Sequence, residues 1–305
     1  VRSDFAPFPG TDAPMRTVRR FLLGELDGAI AKLEAGDLTD RGVHAIRKQF
    51  KRVRAALRLL RPCLGSAAYR RENALIRDTA RPLNPMRDAA ILPLTLRRLQ
   101  ARADGKEGAA FARHVNGVLR QERRAARRPF EPGALKAAVR RLRAFKRRIE
   151  ALTAARLDRT TPSGGLERTY KAGRNALASV TLQATDEHLH EWRKQVTYLA
   201  NQLEDFAPPD SKGFAARLER FRRLAVRLGD DHDLAVLSRK IMEVSRQSNA
   251  APAAAARGSA GAQDLACRIA RRREKLQGKA FRLGQRLYAR RPRRVVASWL
   301  HIRAA

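Results

Sequence analysis

The chain has 305 residues and a formal net charge of +35, with Lys+Arg 65 against Asp+Glu 30. Of the basic residues 12 are Lys and 53 are Arg, whose charge persists at any pH near neutrality, so the folded chain repels itself unless a polyanion is near. Disorder is excluded, because 44% of the residues are apolar and they recur with helical period.

The N-terminal extension (residues 1–15) opens VRSDFAPFPG, which has no apolar core, and no 18 apolar residues run uninterrupted anywhere; neither a signal peptide nor a membrane span is expected. The sequence starts at Val1 rather than Met, as an excised segment of a longer protein would. Periodicity predicts helices over Arg16–Ala35, Gly42–Leu60, Ala67–Ala80, Met86–Arg102, Gly108–Arg127 and Ala134–Arg156. Pro- and Gly-bearing breaks such as Pro62–Ser66 and Pro129–Gly133 separate them. Arg159–Gly165 (RTTPSGG) then divides a first half, about 16–158, from a second, about 166–303. The second half continues with helices at Leu166–Val180, Asp186–Phe206, Lys212–Arg227, Asp231–Arg246 and Leu265–Ala289, with Asn249–Gln263 as a flexible loop. No β-branched alternation competes, so the fold class is all-α. Cys63 and Cys267 have no CxxC or His-spaced partner, which argues against a disulfide scaffold or zinc site and fits a reducing cytoplasm.

The two halves are related. His44–Leu60 aligns without gaps on His190–Phe206, sharing His44/His190, Arg47/Arg193, Lys48/Lys194, Gln49/Gln195 and Leu57/Leu203. At 100° per residue, Val43, Ile46, Phe50, Val53, Leu57 and Leu60 form one face, and Leu189, Trp192, Val196, Leu199, Leu203 and Phe206 occupy the same angles. Farther along each half, RDAAIL (Arg87–Leu92) matches HDLAVL (His232–Leu237), with Asp88/Asp233 in common.

Opposite the apolar face of the first motif helix lie His44, Arg47, Lys48, Lys51, Arg54 and Arg58. Like charges at steps of three and four destabilise a helix by a few tenths of a kcal/mol per pair, so something else must favour them. The bland reading of one stripe is a solvated face, but the stripes recur. Lys136, Arg140 and Arg143 form one; Arg272, Lys275, Lys279 and Arg282 form another; Arg77 and Arg81 precede the RD segment, and Arg220 and Arg227 precede HD. Gathered at one groove, they would attract a multivalent anion. Arg supplies planar, bidentate donors suited to phosphate oxygens. Aromatic residues are 6%, and no base-reading signature occurs, which disfavours sequence-specific nucleic-acid recognition while leaving nonspecific backbone binding open.

The paired HxxRK motifs (His44–Lys48, His190–Lys194), the RD-like segments, GLERTYKAGRNAL (Gly165–Leu177) and GQRLYARRP (Gly284–Pro292) together resemble the CHAD domain, the conserved histidine α-helical domain, over about Arg16–Arg303. The resemblance implies two pseudo-symmetric four-helix bundles with a basic central groove or pore that binds inorganic polyphosphate, and association with polyphosphate granules. By matching position it implies ligand contacts from His44, Arg47, Lys48, Lys51 and Arg54, from His190, Arg193 and Lys194, and from Arg168, Lys171 and Arg174. Thr197, Tyr198 and Ala200 stand where the first copy has Lys51, Arg52 and Arg54, so fewer contacts are expected from the second helix.

His44 and His190 admit three readings: structural histidines at a helix start, phosphate donors, or metal ligand and base. The last lacks a ligand cluster around either one. Asp88 and Asp233 are read as carboxylates near helix beginnings or paired with a motif Arg, rather than as catalytic groups. No Walker, GxSxG, HExxH or paired-carboxylate motif is present. The expectation is therefore a binding module without catalytic residues, metal or cofactor, with a metal-dependent phosphohydrolase as the rival from the enzyme class.

Overall fold

The computed structural model describes residues 14–100, 106–126, 132–206, 212–248 and 252–300, among which there is no strand. The helices are α1 (Pro14–Glu34), α2 (Asp40–Leu59), α3 (Arg61–Leu64), α4 (Ser66–Ala80), α5 (Asn84–Gln100), α6 (Lys106–Ala126), α7 (Pro132–Glu150), α8 (Ala154–Asp158), α9 (Ser163–Leu182), α10 (Asp186–Phe206), α11 (Lys212–Ser248), α12 (Pro252–Leu287) and α13 (Pro292–Trp299). Most of the expected N-terminal extension and of the Pro129–Gly133 break lies outside the described residues.

Local signals explain several boundaries. Thr39 caps α2, its hydroxyl accepting from the Gly42 amide at 3.1 Å, with Asp40 in the first turn where the helix dipole favours it. Gly65 separates α3 from α4 at φ +81°, a conformation that only glycine adopts without strain.

Three expectations are corrected. Lys212–Arg227 and Asp231–Arg246 belong to one helix, α11, and Asp233 therefore lies in mid-helix, not near a start. The helix runs through the expected break at residues 228–230, and just after it Asp231 is buried and accepts from Arg273 Nε at 3.0 Å and Gln277 Nε2 at 2.9 Å, both on α12. From Pro252 the expected flexible loop is helical. Its alanines are the best helix formers, and Ala262 and Leu265 bury against a core; Asn249–Ala251 lie outside the described residues. The long helix expected over Ala134–Arg156 ends at Glu150, and α8 follows as a separate turn.

The chain divides into two compact units, Val1–Pro82 with Phe130–Ala225 and Leu283–Ala305, and Leu83–Pro129 with Val226–Arg282. These are not the two sequential halves. Each unit takes matching pieces of both: the first holds both HxxRK helices, α2 and α10, and the second holds both RD-like segments.

In the first unit α1 packs on α2, α9 on α10, and α2 on α10. All twelve apolar positions of the two motif faces are buried, including Ile46, Val53, Leu57, Trp192, Val196 and Leu199 at 0% exposure. Burial of each large side chain contributes about 1.5–3 kcal/mol. Phe21 and Phe206 meet edge-on with centroids 4.9 Å apart, and Gln202 Nε2 donates to the Ala55 carbonyl at 3.0 Å across the α2–α10 contact.

The same contact carries an ion triad. Arg52 donates to Glu25 of α1 and to Asp205 of α10, the latter at 2.5 Å. Burial pushes the Asp205 carboxyl up to about 6 despite Arg52, and burial raises Glu25 as well. A carboxyl raised in the folded state contributes stability that is present below its unfolded pKa and lost as pH rises through the folded one. Stability is accordingly expected to fall by on the order of 2 kcal/mol between pH 4 and pH 7 from this residue. Chemical denaturation of wild type and Asp205→Asn checks this: the wild-type excess slope should vanish in the variant, and parallel pH profiles would refute it.

The GLERTYKAGR and GQRLYARRP segments meet in this unit, and their glycines are close-approach points. A Cβ at Gly173 would come within 2.3 Å of the buried Tyr288 hydroxyl, and one at Gly284 within 2.5 Å of the Trp192 ring. Gly284→Ala is expected to cost about 1–3 kcal/mol by overpacking, whereas Gly278→Ala, whose nearest neighbour is 3.8 Å away at a flexible Arg282 tip, gains helix propensity. Thermal midpoints of the two variants should move in opposite directions.

The second unit packs α5, α6, α11 from Val226 and α12 up to Arg282 around Leu92, Leu96, Phe111, Val115, Leu119, Leu237, Ile241 and Ile269. Arg87 ties the two RD-like segments together, bonding Asp88 at 2.8 Å and Asp233 at 2.5 Å. Those two carboxylates are engaged by a motif arginine.

Candidate polyanion-binding site

The arginines fall into two electrostatic groups. Burial pulls Arg52 and Arg87 down, yet their carboxylate partners outweigh it and hold both above the usual guanidinium range. Arg148 is likewise raised, chiefly by its bond to the buried Glu72. These three hold the fold together. In the other group the range is lowered. Arg54 is lowered by burial and by the Arg58 and Arg77 charges, Arg168 by burial and Arg61, and Arg217 by burial, Arg290 and Arg220.

One cluster without a carboxylate partner among the described residues sits at the C-terminal end of α2. Arg58 lies over the Tyr198 ring at 3.5 Å from its centroid and Arg54 at 5.3 Å, so one buried tyrosine of α10 supports two guanidinium groups. Arg54 Nε donates to Asn73 Oδ1 of α4 at 3.0 Å, and Arg58 Nη1 to the Arg54 carbonyl at 3.0 Å. Arg61 stacks over Tyr69 at 5.2 Å. Among the described residues no carboxylate bridges Arg54, Arg58 or Arg61. Each is positioned by neutral partners that leave other N–H donors unspent, which is how a receptor for phosphate oxygens is preorganised.

A second cluster in the same unit surrounds Tyr170, whose hydroxyl donates to the Leu287 and Arg290 carbonyls at 2.8 and 3.2 Å. Arg174, Arg217 and Arg290 all act on that hydroxyl, which burial holds above its usual range.

Of the sequence-derived candidates, Arg54, Arg58 and Arg168 belong to the first cluster, and Arg174 and Arg220 to the second. His44, Lys48 and Lys51 are exposed on α2, with Arg47 half-buried, and Lys48 lies near Glu25. His190 is exposed on α10 beside Glu191, with Arg193 half-buried. Lys194 is bridged to Glu191 at 2.5 Å, Arg143 to Glu34 at 2.6 Å, and Arg77 and Arg81 both to Asp78. These pairs are largely exposed and weak, but they qualify the expectation that acidic partners are missing. Lys136, Arg140 and Lys171 are exposed on α7 and α9. Arg227, Arg272, Lys275, Lys279 and Arg282 lie in the second unit, where Arg227 donates to the Lys279 carbonyl and Arg272 and Lys275 line a cleft. Arg61, Asn73, Tyr69, Arg217 and Arg290 were not among the candidates. Arg217 stands three residues before Arg220 and Arg290 lies within the GQRLYARRP segment, so both carried a sequence signal, while the others matter through contacts between helices. Tyr198, which stands where the first copy has Arg52, supplies the platform for Arg54 and Arg58.

Among the described residues no three His, Cys, Asp or Glu side chains converge to hold a metal ion, and no helix is long and apolar enough to cross a membrane.

No curated protein sequence is significantly similar to the chain. The structure resembles that of the CHAD domain from the plant Ricinus communis, with a TM-score of 0.67 and 21% identity over 96% of this chain and 99% of that one. It also resembles PptA from Streptomyces chartreusis, with a TM-score of 0.56 and 15% identity over 90% and 99% of the two chains. The CHAD domain family model matches residues 22–242, a span that includes both HxxRK helices, the Tyr198 platform and both RD-like segments, and on that match the chain belongs to the CHAD domain family.

Proposed function

We propose that the chain binds inorganic polyphosphate as a receptor or granule-targeting module rather than as a catalyst. The observation that carries this reading is the cluster of Arg54, Arg58, Arg61 and Arg168. Burial and neighbouring cations lower Arg54 and Arg168, and aromatic and amide groups, rather than carboxylates, position the cluster. A chain of phosphates relieves that repulsion and fills the open donors, and it needs no base-stacking surface. Tyr198 is buried, and it and Tyr69 each have a guanidinium group over the ring, which leaves less aromatic surface for a nucleobase to stack on. His44, Lys48, Lys51, Lys171 and Arg174 extend the cationic surface in this reading, and a cytoplasmic, granule-associated location goes with it.

Titration of labelled long-chain polyphosphate against equal phosphate concentrations of duplex DNA and single-stranded RNA at physiological salt tests the proposal. Polyphosphate should bind more tightly, with affinity falling steeply as salt rises. Equal or tighter binding of nucleic acid overturns it in favour of a nonspecific backbone binder. Orthophosphate release with Mg²⁺ or Mn²⁺ that is lost in Asp88→Asn would overturn the non-catalytic part.

A further inference from the structure

The second unit contains a cleft of about 460 Å³ lined by α5, α11 and α12, a size within the range of small-ligand sites. Its lining differs in kind from the arginine cluster on α2. Leu234 and Leu276, both buried, and Leu99, which packs against the same core, supply apolar surface. Arg98, Arg272 and Lys275 supply cations for which no ion pair is found among the described residues. Two other charged groups of the lining are already satisfied, Arg268 by Asp264 at 2.9 Å and Asp233 by Arg87 at 2.5 Å. Arg271 adds a further cation to the lining, and Asp230 lies close enough to Arg98 and Arg272 to feel their charge; burial, together with the charge of Asp233, makes its carboxyl harder to ionise.

An inorganic phosphate chain matches only part of this surface. It has no apolar group to place on the leucines, and a carboxylate in the lining opposes it. A ligand with a phosphate end and a flat, weakly polar end that carries N–H donors matches all of it. We propose that this cleft is a nucleoside-phosphate site, in which Arg98, Arg272 and Lys275 take the phosphates, Leu99, Leu234 and Leu276 take the base, and Asp230 accepts a hydrogen bond from a base N–H. The site lies in a different compact unit from the α2 cluster, and it stands independently of the polyphosphate reading. It assigns Arg272 and Lys275 to a ligand other than the polymer.

Calorimetric titration of the whole chain with ATP, tripolyphosphate and long-chain polyphosphate at one salt concentration tests this. ATP should bind about tenfold more tightly than tripolyphosphate, because only ATP dehydrates the leucines. Arg98→Gln combined with Arg272→Gln should weaken ATP by at least about tenfold, since each guanidinium makes charge-assisted bonds. Leu99→Ala should weaken ATP by about three- to fivefold and leave tripolyphosphate unchanged. Leu99 is a partly exposed residue of the lining, so the variant should fold, and its unfolding midpoint checks that; Asp230→Asn, which leaves the apolar core intact, should also weaken ATP and not tripolyphosphate. Tripolyphosphate binding as tightly as ATP, or ATP binding unaltered in these variants, overturns the nucleotide site. Long-chain polyphosphate binding tests the other reading separately: its absence in wild type counts against that reading alone, and its retention in Arg98→Gln/Arg272→Gln shows the two sites to be distinct.

Discussion

Replacing Arg54 and Arg58 together by alanine is expected to weaken long-chain polyphosphate binding by about a hundredfold or more, at roughly 1.5–3 kcal/mol for each charge-assisted hydrogen bond removed. The two guanidinium groups share one platform, Tyr198, and neither is spent on a carboxylate. Arg54→Lys/Arg58→Lys keeps the charge but forgoes the planar fork and the stacking, so it should recover only part of the affinity. The salt dependence should become shallower in the alanine variant and stay near wild type in the lysine variant, because the slope counts charges neutralised. Folding should be little affected, since removal of Arg54 also removes a like-charge interaction with Arg58 and Arg77. Affinity within threefold of wild type, measured on a variant shown to be folded, would falsify the assignment. If removal of Lys136 and Arg140 from the exposed face of α7 weakened binding equally, net charge rather than the cluster would be responsible.

Arg52→Ala, two residues before Arg54 on the same helix, should behave in the opposite way. Arg52 is 18% exposed and bridges Glu25 and Asp205, so its removal strands two carboxylates in the packed junction of α1, α2 and α10. Breaking a buried pair by removing one partner costs about 3–5 kcal/mol, which for a domain of this size lowers the unfolding midpoint by roughly 10 °C. Polyphosphate affinity of the protein that remains folded should be close to wild type. Arg87→Ala should destabilise for the same reason, since Asp88 and Asp233 would be left facing each other without a cation. Thermal melts beside binding titrations separate the classes: an Arg52→Ala protein of unchanged midpoint would sink the division into structural and ligand-facing arginines.

The contrast between neighbours on α2 shows where sequence reading reaches its limit. The stripe His44, Arg47, Lys48, Lys51, Arg54 and Arg58 is visible as a polar face because helical period alone separates it from Val43, Ile46, Phe50, Val53, Leu57 and Leu60. Periodicity cannot say which basic residue meets a carboxylate. Arg52 meets Asp205 only because α10 packs on α2, 153 positions later in the chain. Tyr198 is legible as the position where the second repeat departs from the first. Its role as a platform depends on which residues of α2 lie above it.

The corrected segments follow the same logic. Leu228, Gly229 and Asp230 look like a break when solvation is assumed, and they form mid-helix structure where the next residue, Asp231, is buried against Arg273 and Gln277. The alanine-rich stretch before Gln263 looks like a linker when no partner is in view, and it is helical where Ala262 and Leu265 find the core of the second unit. In both cases the deciding partner surface lies on another helix.

By itself, the +35 charge together with apolar residues at helical spacing determined that the chain is an all-α, arginine-rich fold, because backbone periodicity and formal charge are properties of local sequence. Tertiary structure decided the rest. It mixed pieces of both halves into each compact unit, paired some arginines with buried carboxylates and stacked others on tyrosine, and opened a partly apolar cleft beside Arg272 and Lys275. These outcomes depend on contacts between helices far apart in the chain, and the energy of a guanidinium group is set by those contacts: the same residue type is a structural strut beside Asp205 and a guanidinium with open N–H donors above Tyr198.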